Sequence, residues 1–311
     1  MENQTNSTLK VVPTTAPVAA LAFKPISPVN AKKKPKIFIP TILKGFKTGI
    51  VGVLAGTGGI GKSTLLLGIV YGLADKRADV FNLSTSEKPL KVLFMSAEDD
   101  EAVVNNRMHD FAVHHKLPDE VLEQVEAQAC ITCERLSMKK ITDKAWLTAL
   151  KLYCIQNTID LVIFDTYSIF SGVQNENDNS EATAVIDALY KDLIADTQLS
   201  VLLVHHTNSE GNIRGAKALR ENTRVTYVIR KPEDEEIEKI EAAGFDSTKY
   251  ANLGIIKTNY DQLGSMCWLK MTKNGIFELA ELDMVIAVNQ KSESAKSGHK
   301  KSKGMQNVKN I

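Results

Sequence analysis

The sequence predicts an α/β domain: a mostly parallel sheet with helices on both faces and an antiparallel edge of late strands. Three observations predict it. Strand-length apolar runs alternate with segments of helical period from residue 50 to residue 204. The first of those strands runs straight into a glycine-rich loop and then a helix. After residue 224 the pattern changes to short strands without intervening crossovers, which is how an antiparallel edge reads.

The elements follow in order. Residues 50–54 form a strand, 62–74 a helix and 92–95 the next strand. A helix opens near Asp99 and runs toward His114. Residues 145–156 form a helix leading into the strand 161–164, and 181–197 a helix leading into the strand 201–204. The late strands are 225–230, 253–257, 266–271 and 275–279. Apolar runs without alternation mean strands buried on both faces, the mark of a parallel sheet under two helix layers.

Composition bounds the rest. The chain has 311 residues, 43% of them hydrophobic, enough for one large domain or two small ones. Residues 1–36 are rich in Pro, Thr, Ser, Asn and Lys, residues 289–311 are a low-complexity Lys/Ser-rich stretch, and both read as disordered basic tails, leaving 37–288 as the folded domain. Each tail carries +5, so a chain of net charge +1 leaves the body at −9. An acidic body with two basic tails suits a polyanion partner, and it equally suits tails that stay solvated. No run approaches the roughly 20 apolar residues of a membrane helix. The N-terminus lacks a basic segment followed by an apolar one, so the expected compartment is the cytoplasm. Among the four cysteines, Cys130 and Cys133 form a C-x-x-C with no second pair or paired histidine to complete a zinc set, and read as reduced, partly buried thiols.

The chemistry starts at residues 56–64, GTGGIGKST, which satisfy G-x-x-x-x-G-K-[ST]. In such a P-loop, Gly56, Thr57, Gly58, Gly59, Ile60 and Gly61 turn backbone N–H groups inward around a β-phosphate. Lys62 brings a point charge to the β- and γ-phosphates, Ser63 a hydroxyl for Mg²⁺, and Thr64 lies in the first turn of the helix whose N-terminus favours an anion. ATP with Mg²⁺ is the implied ligand pair. Residues 161–165, LVIFD, then supply an acid at a strand end, Asp165, placed to hold Mg²⁺ through its water shell. Thr166 follows, not Glu, so the base that activates water comes from elsewhere.

Glu98 is the expected base, because carboxyl ends of neighbouring parallel strands converge on the phosphates. Asp99 is adjacent and could share the work; the plainer alternative is that both cap the following helix. His205 and His206 end the strand VLLVHH, where a polar group can report the γ-phosphate, and His206 is the favoured one.

Taken in order, Ala97-Glu98-Asp99, DTYSIFSGVQNEND after Asp165, His205-His206, RGAKALRENTR and IIKTNYDQ resemble the RepA-type hexameric replicative helicases of plasmids, in the RecA/DnaB superfamily of ATPases. The resemblance spans about residues 40–282. It implies a RecA-like P-loop ATPase core, six subunits in a ring, ATP between neighbours and single-stranded DNA through the centre. It implies Glu98 as the water-activating acid, His206 as the sensor and Arg224 as an arginine finger reaching the next subunit's site. From the residues alone, Arg214, Arg220 and Arg224 all stand as candidates. The DnaB branch carries Lys-x-Arg on a late strand; here it reads Lys257-Thr258-Asn259, keeping the lysine as a second contact in trans and losing the arginine.

DNA contact has thinner support. The loops that would face the channel are 171–180, without lysine or arginine, and 207–217, with Arg214 and Lys217. The leading expectation is an ATP-hydrolysing helicase of plasmid or phage type, with primase and initiator as separate proteins. The alternative is a RecA-like ATPase that loads a helicase or mediates recombination without unwinding. A partition ATPase of the ParA/MinD type carries a signature lysine where this chain has Thr57.

Overall fold

A computed structural model of the chain describes residues 27–33, 40–134, 139–207 and 217–282. The chain divides into two units, Met1–Phe38 and Ile39–Ile311. In the first, the described segment is a short helix, α1 (Pro28–Lys33), within a tail expected to have no helical segment. The remainder of that tail and the C-terminal tail 289–311 lie outside the described residues.

The second unit opens with a small hairpin, β1 (Thr41–Leu43) and β2 (Phe46–Lys47). There follow β3 (Val51–Gly56), α2 (Lys62–Ala74), β4 (Val92–Ser96), α3 (Glu101–His114), α4 (Asp119–Gln128) and β5 (Ala129–Cys133). Next come α5 (Lys144–Gln156), β6 (Leu161–Asp165), α6 (Tyr167–Phe170) and α7 (Asn179–Ala188), which continues into a π-helical stretch, Leu189–Ile194. The chain then forms β7 (Ser200–His206), α8 (Lys217–Asn222), β8 (Val225–Arg230), α9 (Asp234–Ala242), β9 (Tyr250–Thr258), β10 (Gly264–Met271) and β11 (Phe277–Ala280).

Nine strands make one sheet in the order β11-β10-β9-β8-β3-β7-β6-β4-β5. From β5 to β8 every pairing is parallel, and β9, β10 and β11 are antiparallel. Two expectations for the late strands need correction. β8 is no part of a purely antiparallel edge, because it pairs parallel with β3 on one side and antiparallel with β9 on the other. A helix, α9, also interrupts the late strands. Its sequence, DEEIEKIEA, buries only Ile240, so its helical period is faint. Ile240 packs it against Tyr250, Trp268 and Leu282, and polar contacts add to this: Glu236 accepts from the Glu233 N–H at 2.8 Å and pairs with Arg230 at 2.6 Å.

Period-two alternation divides the core into two layers. Leu54, Phe94, Ile163, Leu202 and Val204 pack with Leu65, Leu66, Ile69 and Val70 of α2. Val53, Met95, Phe164, Val201 and Leu203 pack on the opposite face with α5, α7 and the π-helical stretch. Both layers are fully buried, which is why these strands read as unbroken apolar runs.

α3 closes against the far edge of the sheet. His115 packs its ring on Phe111 at 4.5 Å and bonds the Phe277 carbonyl through Nε2 at 3.0 Å. His114 pairs with Glu278 at 2.8 Å. Burial, with His114 beside it, holds the His115 pKa below its ordinary 6.5 against the opposing pull of the Phe277 carbonyl and Glu278. The unfolded chain therefore takes up this proton first, and the stability it supplies is present above pH 6.5 and lost as pH falls. His115→Gln should flatten the acid limb of a plot of unfolding midpoint against pH below 6.5; a limb as steep as wild type would contradict this.

Candidate active site

Strand parity decides which side chains meet. Asp165 follows Leu161 and Ile163 onto the α2 face, and His206 follows Leu202 and Val204 onto the same face. His205 takes the other parity; it is buried with its ring against Tyr167 at 5.1 Å. The glycine-rich loop lies between β3 and α2, at the carboxyl end of β3. Gly61 caps α2 in a left-handed conformation, φ +95°, and a Cβ there would meet Phe277 at 2.7 Å, so only glycine serves. At Gly58 and Gly59 a Cβ would meet nothing within 4 Å: the mouth of the loop is open.

Lys62 is buried, 6% exposed, at the start of α2. Its ammonium donates to the carbonyls of Gly56 and Thr57, each at 3.0 Å, and lies 3.2 Å from His206 Nδ1. An ammonium only donates, so Nδ1 accepts and the ring carries its proton on Nε2. That Nε2–H donates to Glu98 Oε1 at 3.2 Å. The Thr166 hydroxyl donates to the same oxygen at 3.3 Å. One Glu98 oxygen is thus held twice, while Oε2 has no partner among the described residues and the side chain is 41% exposed.

The neighbouring acids are occupied differently. Asp99 is gripped by Arg107 through both oxygens, the longer contact at 3.3 Å. Asp100, not Glu98 or Asp99, caps α3 by accepting the Val103 N–H at 3.0 Å.

The buried charges are uneasy. Desolvation lowers the Lys62 pKa, opposed by Asp165 and Glu98. Asp165 is 1% exposed, and neither of its oxygens makes a hydrogen bond among the described residues. Desolvation pushes its pKa up to about 6, with the nearby Ser63 hydroxyl pulling the other way.

Comparison with known proteins follows the geometry. The sequence family described as an AAA domain matches residues 21–212, more than half of the chain. The chain belongs to the AAA domain family. A solved structure titled "ATPase Domain of G40P" superposes with a TM-score of 0.52 at 12% identity, over 75% of this chain and 86% of that one. At that identity the likeness shows the fold, a RecA-like P-loop ATPase domain.

The AAA domain of this chain has the donor set that ATP and Mg²⁺ require. The loop mouth is open, the ammonium of Lys62 stands behind it, and two orphaned carboxylate oxygens of Asp165 lie beside the Ser63 hydroxyl. Buried oxygens without partners fit a hydrated divalent cation and little else. Ser63 and Asp165 are the residues that would hold it.

The remaining predicted residues lie elsewhere. The Arg224 N–H donates to the Val51 carbonyl at 3.0 Å, at the amino end of β3, so roughly 17 Å of strand separates it from its own P-loop. Lys257 donates to the carbonyls of Arg220 and Glu221 at 2.7 and 2.6 Å, capping α8. Lys217 pairs with Glu221 at the surface, and Arg214 lies outside the described residues. Sequence reasoning passed over Thr166, whose place next to the strand-end acid was the available signal, and Arg107, whose partner lies eight residues away in sequence.

Asp165→Asn should stabilise the nucleotide-free protein while abolishing Mg²⁺-dependent hydrolysis. At about 1.4 kcal/mol per pKa unit, a carboxyl raised from 3.8 to about 6 costs about 3 kcal/mol when charged. The gain should be full above pH 7 and vanish as pH falls toward 4, where Asp165 is already protonated. A variant less stable than wild type at pH 7.5 would contradict this account of the site.

Proposed function

We propose that this AAA domain hydrolyses ATP between neighbouring copies in a homo-hexameric ring and uses the cycle to translocate on single-stranded DNA, as a replicative helicase of plasmid or phage type. The observation that carries the ATPase reading is Glu98: Oε1 is held by Thr166 and His206, and Oε2 is open to solvent. A carboxylate so oriented can take the proton of a water attacking the γ-phosphorus, a step worth about 10²–10⁴ in rate.

The residues then share the work. The backbone N–H groups of residues 57–63 cradle the β-phosphate. Lys62 leaves the Gly56 and Thr57 carbonyls for the phosphates, and in doing so releases His206 Nδ1. His206, still donating to Glu98, thereby couples phosphate occupancy to the orientation of the base. Water attacks the γ-phosphorus, its proton passes to Glu98 Oε2, and the β-phosphate oxygen of ADP leaves against Lys62. Ser63 and Asp165 would hold Mg²⁺, which would neutralise charge on the phosphates.

Arg224 stands a strand's length from its own P-loop, so it serves a nucleotide only from a neighbouring copy, as an arginine finger. Lys257 stands beside it as the second cation of that edge. The ring of six, the single-stranded DNA, the cytoplasmic setting and the separate primase and initiator rest on the resemblance over residues 40–282. One observation favours a loader or mediator that does not unwind: loop 171–180 offers no cation, and its Glu176 and Asp178 would repel a phosphate backbone.

Mixing tests the trans arrangement. Glu98→Gln should bind ATP yet hydrolyse it about 10²–10⁴ times more slowly. Arg224→Ala should assemble and bind ATP but lose about 10³-fold or more in rate. Combined, the two variants should recover activity, because some interfaces pair an intact Glu98 with an intact Arg224. No recovery in rings confirmed as mixed by mass would contradict it. On a forked duplex the wild type should displace a strand, and DNA-stimulated ATPase without displacement would favour the loader reading.

A further inference from the structure

Arg224 is exposed, and its backbone is tied into the sheet through the bond from its N–H to the Val51 carbonyl. The other polar group of Val51, its N–H, leaves the sheet and donates 3.2 Å to the hydroxyl of Tyr190. Tyr190 lies in the π-helical stretch that prolongs α7, Leu189–Ile194. A π-turn in an otherwise α-helical segment widens the backbone and is found mostly where a side chain has a task. One residue of β3 therefore carries Arg224 on its carbonyl and Tyr190 on its amide.

The surroundings leave the guanidinium few places to rest. Lys257 caps α8 at 2.7 and 2.6 Å, and Thr223 adds a bond to the Leu219 carbonyl at 3.0 Å, so the segment leading into Arg224 is fixed. Lys257 is a cation close to Arg224, and after burial itself the guanidiniums of Arg224 and Arg220 depress the Lys257 pKa. Like charges push the guanidinium away from that side. An acceptor beside it is the Tyr190 hydroxyl, since Tyr190 and the Arg224 backbone both bond to Val51, at 3.2 and 3.0 Å; burial raises the Tyr190 pKa, and the Val51 N–H and the guanidinium pull it back.

We propose that Tyr190 is the positioning residue for Arg224: its hydroxyl, anchored by the Val51 N–H, holds the guanidinium in the direction of the neighbouring copy's P-loop. The proposal rests on the reading of Arg224 as a finger acting in trans. Tyr190 touches no reacting atom. It restricts a long, flexible side chain to the one region from which it can stabilise charge on a transferring phosphoryl group. A misplacement of about 1 Å at such a distance can cost about a hundredfold in rate.

The test uses the full chain in its assembled state. Tyr190→Phe removes one oxygen and should lower kcat for ATP about ten- to a hundredfold while leaving the KM for ATP unchanged. Mixed with Glu98→Gln it should recover activity; mixed with Arg224→Ala it should not, because both lesions then lie on the same side of every interface. In an Arg224→Ala background, adding Tyr190→Phe should change the rate no further. Recovery with Arg224→Ala, or a further loss in that background, would overturn the proposal. So would a wild-type kcat. If Tyr190→Phe unfolds too readily for kinetics, Arg224→Lys gives the second reading. A lysine cannot bridge to Tyr190 in the same plane, so Arg224→Lys alone should already be slow, and adding Tyr190→Phe, at a temperature where the double variant is folded, should cost less than twofold; a larger loss would overturn the proposal. Failure of Arg224→Ala to complement Glu98→Gln would sink the trans reading itself, a result distinguishable from any outcome at Tyr190.

Discussion

The candidate site depends on two buried charges that are not paired with one another. Lys62 spends its ammonium on two carbonyls and a histidine, and Asp165 keeps both oxygens without a bond. Burying such groups costs several kcal/mol unless something compensates. In the nucleotide-free state the compensation is partial: Lys62 has polar partners but no carboxylate in contact, and Asp165 moves toward its neutral form. A polyphosphate with its cation completes both, the anion for Lys62 and the cation for Asp165.

The same face of the sheet collects these groups for a simple reason. α2 packs on one side only, and every second residue of β4, β6 and β7 points toward it. Continuing that alternation past the apolar runs carries it to Glu98, Asp165 and His206, and turns His205 toward Tyr167. So the strands and the P-loop were legible in the sequence, because each follows from a period or a fixed spacing. Other features were not. Nothing local says that Arg107 captures Asp99 across two turns of α3, or that Thr166 bonds a carboxylate 68 residues away. Lys257 read as a contact for a neighbour, yet in the fold its ammonium caps α8, a task visible only once β9 lies beside that helix. α9 escaped notice because its apolar face is narrow, Ile240 being its one buried residue, and the rest of the helix is charged.

β3 links the two halves of the proposed chemistry. Its carboxyl end carries the P-loop, and its amino end binds Arg224 through the Val51 carbonyl and Tyr190 through the Val51 amide. A short, fully buried central strand is among the stiffest pieces of a domain. Placing a phosphate cradle at one end and a cation at the other lets a single rigid element define both faces of a repeating interface.

The central claim is that Lys62, His206 and Glu98 form one hydrogen-bonded chain that nucleotide rearranges. The imidazole nitrogen signals of His206 report it directly, in ¹⁵N-histidine-labelled protein with the His206→Gln variant to assign them. Without nucleotide the ring should be the neutral Nε2–H tautomer, with Nδ1 shifted by the bond from Lys62. Adding a non-hydrolysable ATP analogue and Mg²⁺ should move the Nδ1 signal as Lys62 departs and leave Nε2 protonated toward Glu98. A ring carrying its proton on Nδ1 in the free protein, or an Nδ1 signal indifferent to the analogue, would contradict the account.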